Sequence, residues 1–275
     1  MKIMKKTKNE KGGISMSIWV TGDTHGDFTR FSTDNFPQGK NLTKEDYVII
    51  LGDCGLIWSQ KEDKNEIYWK NWLENKPWTT LFIAGNHCNF DRLEQYPIEE
   101  WNGGRVSFLR PSVIYLQYGE IFDIADKKIF ALGKAASHDT QHGIIDPADY
   151  TTREEMKQAC RNLEKEHGGW QFAMYRIKGE SWWPQEIPTS AERMHALDNL
   201  EKVNNKVDFI LTHEAPASDI ILLGNGWYKP DEYSKFLEEL RCCIDYDRLF
   251  FGHYHLNKRI NEKDECLYEQ IRRIV

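Results

Sequence analysis

Aspartate, histidine and asparagine concentrate in five short segments: GDTHGD (22–27), GDCG (52–55), GNHC (85–88), LTHEAP (211–216) and FGHYH (251–255). These hold five of the nine histidines. Carboxylate, amide and imidazole donors without thiolate suit Mn, Fe or Zn better than Ca, which prefers oxygen ligands alone. So many donors point to two neighbouring metals. A D-x-H spacing at a strand end sends Asp23 and His25 to one side and Thr24 to the other by the period of two, and the same holds for His253 and His255. Glycine precedes Asp23, Asp53, Asn86 and His253, where the backbone must turn tightly or approach closely among crowded polar groups. Each motif alone is common, and their combination in one chain carries the information.

Such segments need elements that deliver them to one place. SIWVTG (17–22), DYVIILG (46–52) and TTLFIAG (79–85) are short, β-rich and almost wholly apolar, as in parallel strands covered on both faces. Between the last two, KNEIYWKNWLENK pairs Tyr68 with Trp72 and Trp69 with Leu73 at i,i+4, which predicts a crossover helix and a βαβ unit. Loops at the carboxyl ends of parallel strands converge, so separate segments can build one site. VSFLR, SVIYLQ, EIFDIA and KKIFALG alternate polar and apolar residues and predict an antiparallel meander. A helix is expected over about 152–166, and another from the capping box Thr189/Glu192 with Met194, Leu197 and Leu200 on its apolar face. VDFILTH then reads as a strand, the stretch around Tyr233, Phe236, Leu237 and Leu240 as a helix, and DRLFFGHYH, LNKRIN and ECLYEQIRRIV as closing strands. The aromatic-rich segment 134–188 reads either as a lid over the site or, the usual role of aromatic side chains, as packing on an apolar face.

Length and 40% hydrophobic residues suit one domain over 16–275, with 134–188 as an insertion. The formal charge of −7 gives no footprint for extended contact with nucleic acid or anionic lipid. Six cysteines without CxxC spacing read as reduced thiols, and a cytoplasmic location is expected. Residues 1–15 are basic without an apolar core and read as a disordered leader. No stretch approaches the roughly 18 apolar residues of a membrane span, so no membrane partner is expected. Nothing in the sequence sets an oligomeric state.

The ordered set Gly-Asp-x-His, Gly-Asp-x-Gly, Gly-Asn-His, x-His and Gly-His-x-His, running from Gly22 to His255, resembles the calcineurin-like metallophosphoesterase superfamily, especially its small bacterial and phage-type members. The resemblance implies an α/β fold, a four-layer α/β/β/α sandwich of two mixed sheets flanked by helices, with a two-metal centre at the sheet ends. By motif position it implies Asp23, His25 and His255 as ligands of one ion, Asp53 as the bridge, and Asn86, His213 and His253 as ligands of the other. Two divalent cations are implied, Mn foremost, with Fe, Zn or Ni also compatible. The implied reaction is hydrolysis of a phosphomonoester or phosphodiester by a metal-bound hydroxide, with His87 as general acid beside Asp53. Asn86, Asn89 and Arg92 are candidate substrate-binding residues, because a helix start and a guanidinium just past the GNH turn can take a phosphate oxygen. Asp27 reads as a cap or an orienting group, and His138 and His142 as part of a solvated loop.

Two departures qualify the resemblance. In the serine/threonine phosphatase branch the second motif continues with an acid and an arginine, where this chain has Leu56 and Ile57. A generic phosphoesterase is therefore favoured over a protein phosphatase, over a nuclease, which the acidic balance does not support, and over a non-catalytic metal-binding module. Cys88 stands where relatives commonly carry an acid beside His87, and a neutral thiol neither orients an imidazole nor favours its charged form. Cys54 and Cys88 are expected close together as ordinary buried thiols.

Overall fold

The computed structural model describes residues 16–275 except Asn225 and Trp227, so the expected leader over 1–15 lies outside the described residues. Along the chain the elements run β1 (Ile18–Thr21), β2 (Tyr47–Ile50), α1 (Lys64–Glu74), β3 (Thr79–Phe82), α2 (Phe90–Leu93), β4 (Glu99–Trp101), β5 (Gly104–Arg110), β6 (Val113–Leu116), β7 (Glu120–Ile124), β8 (Lys127–Ala131), β9 (Ile144–Ile145), α3 (Arg153–Glu166), β10 (Arg176–Ile177), α4 (Ser190–Lys202), β11 (Lys206–Leu211), α5 (Ala217–Gly224), α6 (Glu232–Cys243), β12 (Asp245–Phe251), β13 (Lys258–Arg259), β14 (Asp264–Cys266) and β15 (Arg272–Arg273). The expected β2–α1–β3 crossover is present. Asp63 starts α1 by accepting hydrogen bonds from the N–H groups of Asn65 and Glu66.

One sheet has the order β15-β1-β2-β3-β6-β5-β4 and the other β13-β14-β12-β11-β8-β7. Both are mixed: β1, β2, β3 and β6 run parallel, as do β14, β12, β11 and β8, with antiparallel strands at the edges. Register aligns Val20, Ile49, Leu81 and Ile114 across the first sheet. In the second it aligns Ala131, Leu211 and Phe250. These two rows meet in one buried cluster, the core between the sheets. The opposite face of the first sheet, with Val48, Ile50 and Phe82, packs with Leu73 of α1. That of the second, with Phe130, Ile210 and Leu249, packs with α4, α5 and α6. The expected four layers follow from these three cores, because each sheet is apolar on both faces and must be covered twice.

Two expectations need correction. The runs read as one meander form two hairpins in different sheets, β5–β6 in the first and β7–β8 in the second. Every residue of β6 is buried, so it needs a neighbour on both edges and finds the second in β3. In α4 the buried residues are Ala196 and Leu200, while Met194 and Leu197 are exposed. The reason is a close approach: a Cβ on Gly119 would lie 2.9 Å from that of Ala196, so only a small residue fits against the turn before β7.

Residues 134–188 leave the second sheet after β8 and return at α4. They contain the parallel pair β9–β10 and a small core of Ile145, Met156 and Cys160 beside α3, which starts with a Thr152/Glu155 capping box. Trp183 is buried in the first sheet's outer core, but Trp170 and Phe172 are 73% and 62% exposed, so aromatic packing explains only part of the segment. Glu186 anchors it by accepting from Ser137 N (2.8 Å), Ser137 Oγ (2.7 Å) and Trp182 Nε1 (2.9 Å). Burial outweighs these donors and pushes the Glu186 carboxyl up to about 7.

A carboxyl whose folded pKa lies above its unfolded value of 4.5 favours the fold while protonated. Its contribution is full below pH 4.5 and is lost as pH rises to about 7. The denaturation midpoint of the wild type should therefore fall across that window relative to Glu186→Gln. Parallel midpoint curves for the two proteins would contradict this.

Candidate metal centre

All five polar segments begin at or just past the carboxyl ends of strands, three in the first sheet (β1, β2, β3) and two in the second (β11, β12). Their donor atoms meet in groups that include Asp23 with His25 and His255, and Asp53 with His213 and His253, the latter histidine also lying close to Glu214 and His138. In the first, His25 Nε2 lies 2.9 Å from His255 Nε2, and Asp23 Oδ2 lies 3.1 Å from His255 Nε2 and 3.7 Å from His25 Nε2. In the second, His213 Nε2 lies 3.4 Å from Asp53 Oδ2. His87 Nε2 is 4.0 Å from the same oxygen.

Convergence does not arise from strand pleating, as the D-x-H spacing suggested. Strands β1 and β12 end before Asp23 and His253, and His25, Asp53, His253 and His255 have φ values of 45°, 42°, 68° and 50°. This left-handed region is costly for residues with a Cβ and clusters at functional sites, where surrounding structure enforces it. Left-handed turns aim neighbouring histidines differently, so His255 joins Asp23 and His25 while His253 joins Asp53 and His213. The flanking glycines are required by proximity. A Cβ on Gly52 (φ +92°) would lie 2.1 Å from His213 Nδ1, and one on Gly85 2.1 Å from Asp53 Oδ1.

Each buried carboxylate commits one oxygen to another segment's backbone. Asp23 Oδ1 accepts from His253 N–H (2.9 Å) and Asp53 Oδ1 from His87 N–H (2.8 Å). The second oxygens face the imidazoles. The Leu51 carbonyl, 2.6 Å from His213 Nδ1, accepts its proton and turns Nε2 inward. Burial would lower this imidazole, but Asp53, Asp23 and the Leu51 carbonyl raise it to about 9, so Nε2 offers a lone pair only once its proton has been displaced. Asn86 Nδ2 donates to Ser137 Oγ (3.1 Å), which leaves Oδ1 for the centre. Asp23 Oδ2, Asn86 Oδ1 and His213 Nε2 are buried with no hydrogen-bond partner among the described residues. Buried polar atoms that make no hydrogen bond are costly, and their convergence with close imidazole nitrogens fits divalent cations bound by nitrogen and oxygen.

Electrostatics separates the groups. Burial alone would raise the Asp53 carboxyl, but His213, His87 and His25 hold it far below the usual range. Burial beside His213 and His138 keeps His253 neutral, the form in which imidazole binds metal. Burial also lowers His87. Its Nδ1 is buried without a hydrogen-bond partner among the described residues, and Trp58 packs on its ring at 5.1 Å between centroids. Where relatives are expected to place an acid, Cys88 is a buried free thiol pushed up to about 12, and burial raises Cys54 further. Both stay protonated and neither serves as a nucleophile.

Other expected site residues have different surroundings. Arg92 donates from Nη1 to Glu66 Oε1 (2.8 Å) and Ser59 O (2.6 Å), and from Nη2 to Glu66 Oε2 (2.7 Å). Asn89 caps α2 through Arg92 N–H and donates to Ser59 O. Both brace α2 against α1, and neither lines the cavity at the centre. Asp27 accepts from Thr29 N–H in a local turn. His138, expected in a solvated loop, has Nε2 3.2 Å from His253 Nε2, because Glu186 holds the adjoining Ser137 against the centre. His142 stays near the surface, stacked on His167. Sequence reading missed Trp58, Ser137 and Arg176, which belong to no recurrent motif.

A family model described as calcineurin-like phosphoesterase matches residues 16–257. Lariat debranching enzyme A of Xenopus laevis is 22% identical over 245 residues, covering 80% of this chain and 43% of that protein. The chain thus spans less than half the length of that curated relative. Among solved structures, "Putative 5'-Nucleotidase from Staphylococcus aureus in complex with alpha-ketoglutarate" matches with a TM-score of 0.40 at 14% identity, covering 92% of this chain and 48% of that one.

The glycine contacts give a direct test. Gly85→Ala drives a methyl group into the Asp53 carboxylate, and should cost about 1–3 kcal/mol of unfolding free energy, the usual range for overpacking. Urea denaturation that shows no loss would mean the two segments are not held this close.

Proposed function

The chain belongs to the calcineurin-like phosphoesterase family, and on that premise we propose that it is a metal-dependent hydrolase of phosphate esters. The observation that carries the reading is the convergence of Asp23 Oδ2, Asn86 Oδ1 and His213 Nε2, buried and without a hydrogen bond among the described residues, with the His25/His255 nitrogens and the Asp53 carboxylate. In this reading Asp23, His25 and His255 would hold one cation, Asn86, His213 and His253 would hold the other, and Asp53 would contribute to both. A mixed nitrogen and oxygen set without thiolate favours Mn, with Fe, Zn or Ni also compatible. Bound there, the pair would supply Lewis acidity toward phosphoryl oxygens and lower the pKa of water.

The chain's own groups do the rest. Asp53, ionised and fixed by the His87 N–H, sets the spacing between the two donor groups. His87 lines the cavity and serves as the general acid that protonates the leaving oxygen. Burial disfavours its imidazolium, the Asp53 carboxylate 4.0 Å from Nε2 favours it, and no described residue hydrogen-bonds Nδ1. Leu56 and Ile57 are buried in the core rather than presented to a substrate, which supports a general phosphoesterase over a protein phosphatase. No helix among the described residues is long and apolar enough to cross a membrane. All six cysteines are free thiols, which supports a cytoplasmic location.

Asp53→Asn should reduce bound metal and abolish hydrolysis of nitrophenyl phosphate and its bis-ester with added Mn. Normal turnover in that variant would defeat the two-metal reading, and a wild type that binds metal but turns over neither ester would favour the non-catalytic module. His87→Ala should keep its metal and lose about 10²–10⁴-fold in kcat for alkyl esters. The loss should be smaller for nitrophenyl esters, whose leaving group needs little protonation, and equal losses for both would exclude the general-acid role.

A further inference from the structure

We propose that Arg176, brought in by the 134–188 segment, binds the phosphoryl group of the substrate, and that its cavity selects a single phosphate on an uncharged leaving group. This rests on the phosphoesterase reading and adds the substrate class. A cavity of about 400 Å³ opens over the centre, with His25, Asp53 and His87 among its lining residues. Of the residues lining it, Arg176 alone is a lysine or arginine.

Arg176 is built for the role. Its backbone is fixed in the β9–β10 ladder opposite Ile144. Its guanidinium is clamped by Asp139, which accepts from Nε (2.7 Å) and from Nη2. Nη1 makes no hydrogen bond to a described residue, and the side chain is only 19% exposed. A planar fork held on one edge and open on the other loses little freedom when it takes a phosphate oxygen. Arg92, the other guanidinium considered for this role, is already occupied by Glu66 and Ser59.

The remaining lining sets the leaving group. Trp58 presents an indole beside His87. Asp63 and Glu66 are also in the wall, and no second lysine or arginine accompanies them. Glu66 is neutralised on the Arg92 side, whereas Asp63 caps α1 at the exposed rim and makes no ion pair among the described residues, with Arg92 acting on it only from a distance. A second or third phosphate in the leaving group would meet this acid without a second lysine or arginine in the wall, so an extended polyanion is disfavoured relative to a neutral group that packs on Trp58.

The test uses the full chain loaded with Mn and inorganic phosphate as the probe. By isothermal titration calorimetry, Arg176→Ala should weaken phosphate binding about 10- to 100-fold, the range for a charged hydrogen bond, with metal content unchanged. Arg176→Lys should recover part of the loss, and Asp139→Asn should fall between alanine variant and wild type. If the alanine variant does not fold, Arg176→Gln replaces it. Phosphate affinity within twofold of wild type in the folded variant would overturn the assignment. In turnover, kcat/KM for nitrophenyl phosphate should exceed that for a nucleoside triphosphate or an oligonucleotide, and the reverse order would overturn the proposed selectivity. A wild type that binds phosphate but hydrolyses no ester would remove the phosphoesterase reading, while calorimetry would still decide the role of Arg176.

Discussion

Two buried carboxylates must each serve two masters, and the architecture of the centre follows from how they do it. Asp23 and Asp53 sit at the ends of β1 and β2 with essentially no solvent contact. A buried carboxylate is tolerable only when its lone pairs are matched by donors or cations. Each uses one oxygen to accept a backbone N–H from a different segment, His253 for Asp23 and His87 for Asp53. The first bond crosses from one sheet to the other, and the second ties neighbouring strands. The remaining oxygens point at imidazoles with spare nitrogens. Anything that moved the sheet ends apart would break these bonds and leave the carboxylates uncompensated, so the inter-sheet core of Val20, Ile49, Leu81, Leu211 and Phe250 positions the chemistry as much as the ligands do.

This demand explains why the backbone is strained here. Bringing a side chain from one strand end within hydrogen-bond reach of another's main chain leaves no room for an extra Cβ at Gly52 or Gly85. It also forces four non-glycine residues into left-handed conformations. Strain of roughly 1–3 kcal/mol per residue survives only where other interactions impose it. The cross-segment hydrogen bonds supply part of that imposition, and cations held between the donor groups would supply more. A protein of this kind should therefore be more stable loaded than stripped, since binding to the native state alone shifts the folding equilibrium.

Much of this was legible in the sequence because the constraints are local. Five polar segments, each opening where an apolar β-type run stops, are readable from composition, and so are the crossover helix α1 and the capping boxes of α3 and α4. Which donor residues group together was implied by family resemblance and not by spacing. The period-two argument put His253 and His255 on one side, whereas left-handed turns send them to different donor groups. The split of the expected meander between two sheets was not legible either. Alternation names an antiparallel partner for β6 but says nothing about β3 on its other edge. The same limit applied to Arg92: a guanidinium past the GNH turn looks available until the tertiary fold sets Glu66 against it.

The part of the site that sequence reasoning missed comes largely from one segment, and that has a physical basis. Metal-binding geometry tolerates little change, so its residues sit on strand ends stitched together by buried hydrogen bonds. The cavity wall can vary, and here part of it comes from 134–188, which has its own small core and is joined to the centre through a few polar links. Ser137 holds Asn86, His138 approaches His253, and Arg176 reaches the cavity, while Glu186 and Asp139 brace the first and last of these. A segment attached in this way can alter the charge and shape of the cavity without disturbing Asp23 or Asp53. The strand ends carry the recurrent motifs and the covering segment carries none, which is why the motifs reveal the first and only the folded chain shows what the second brings to the cavity.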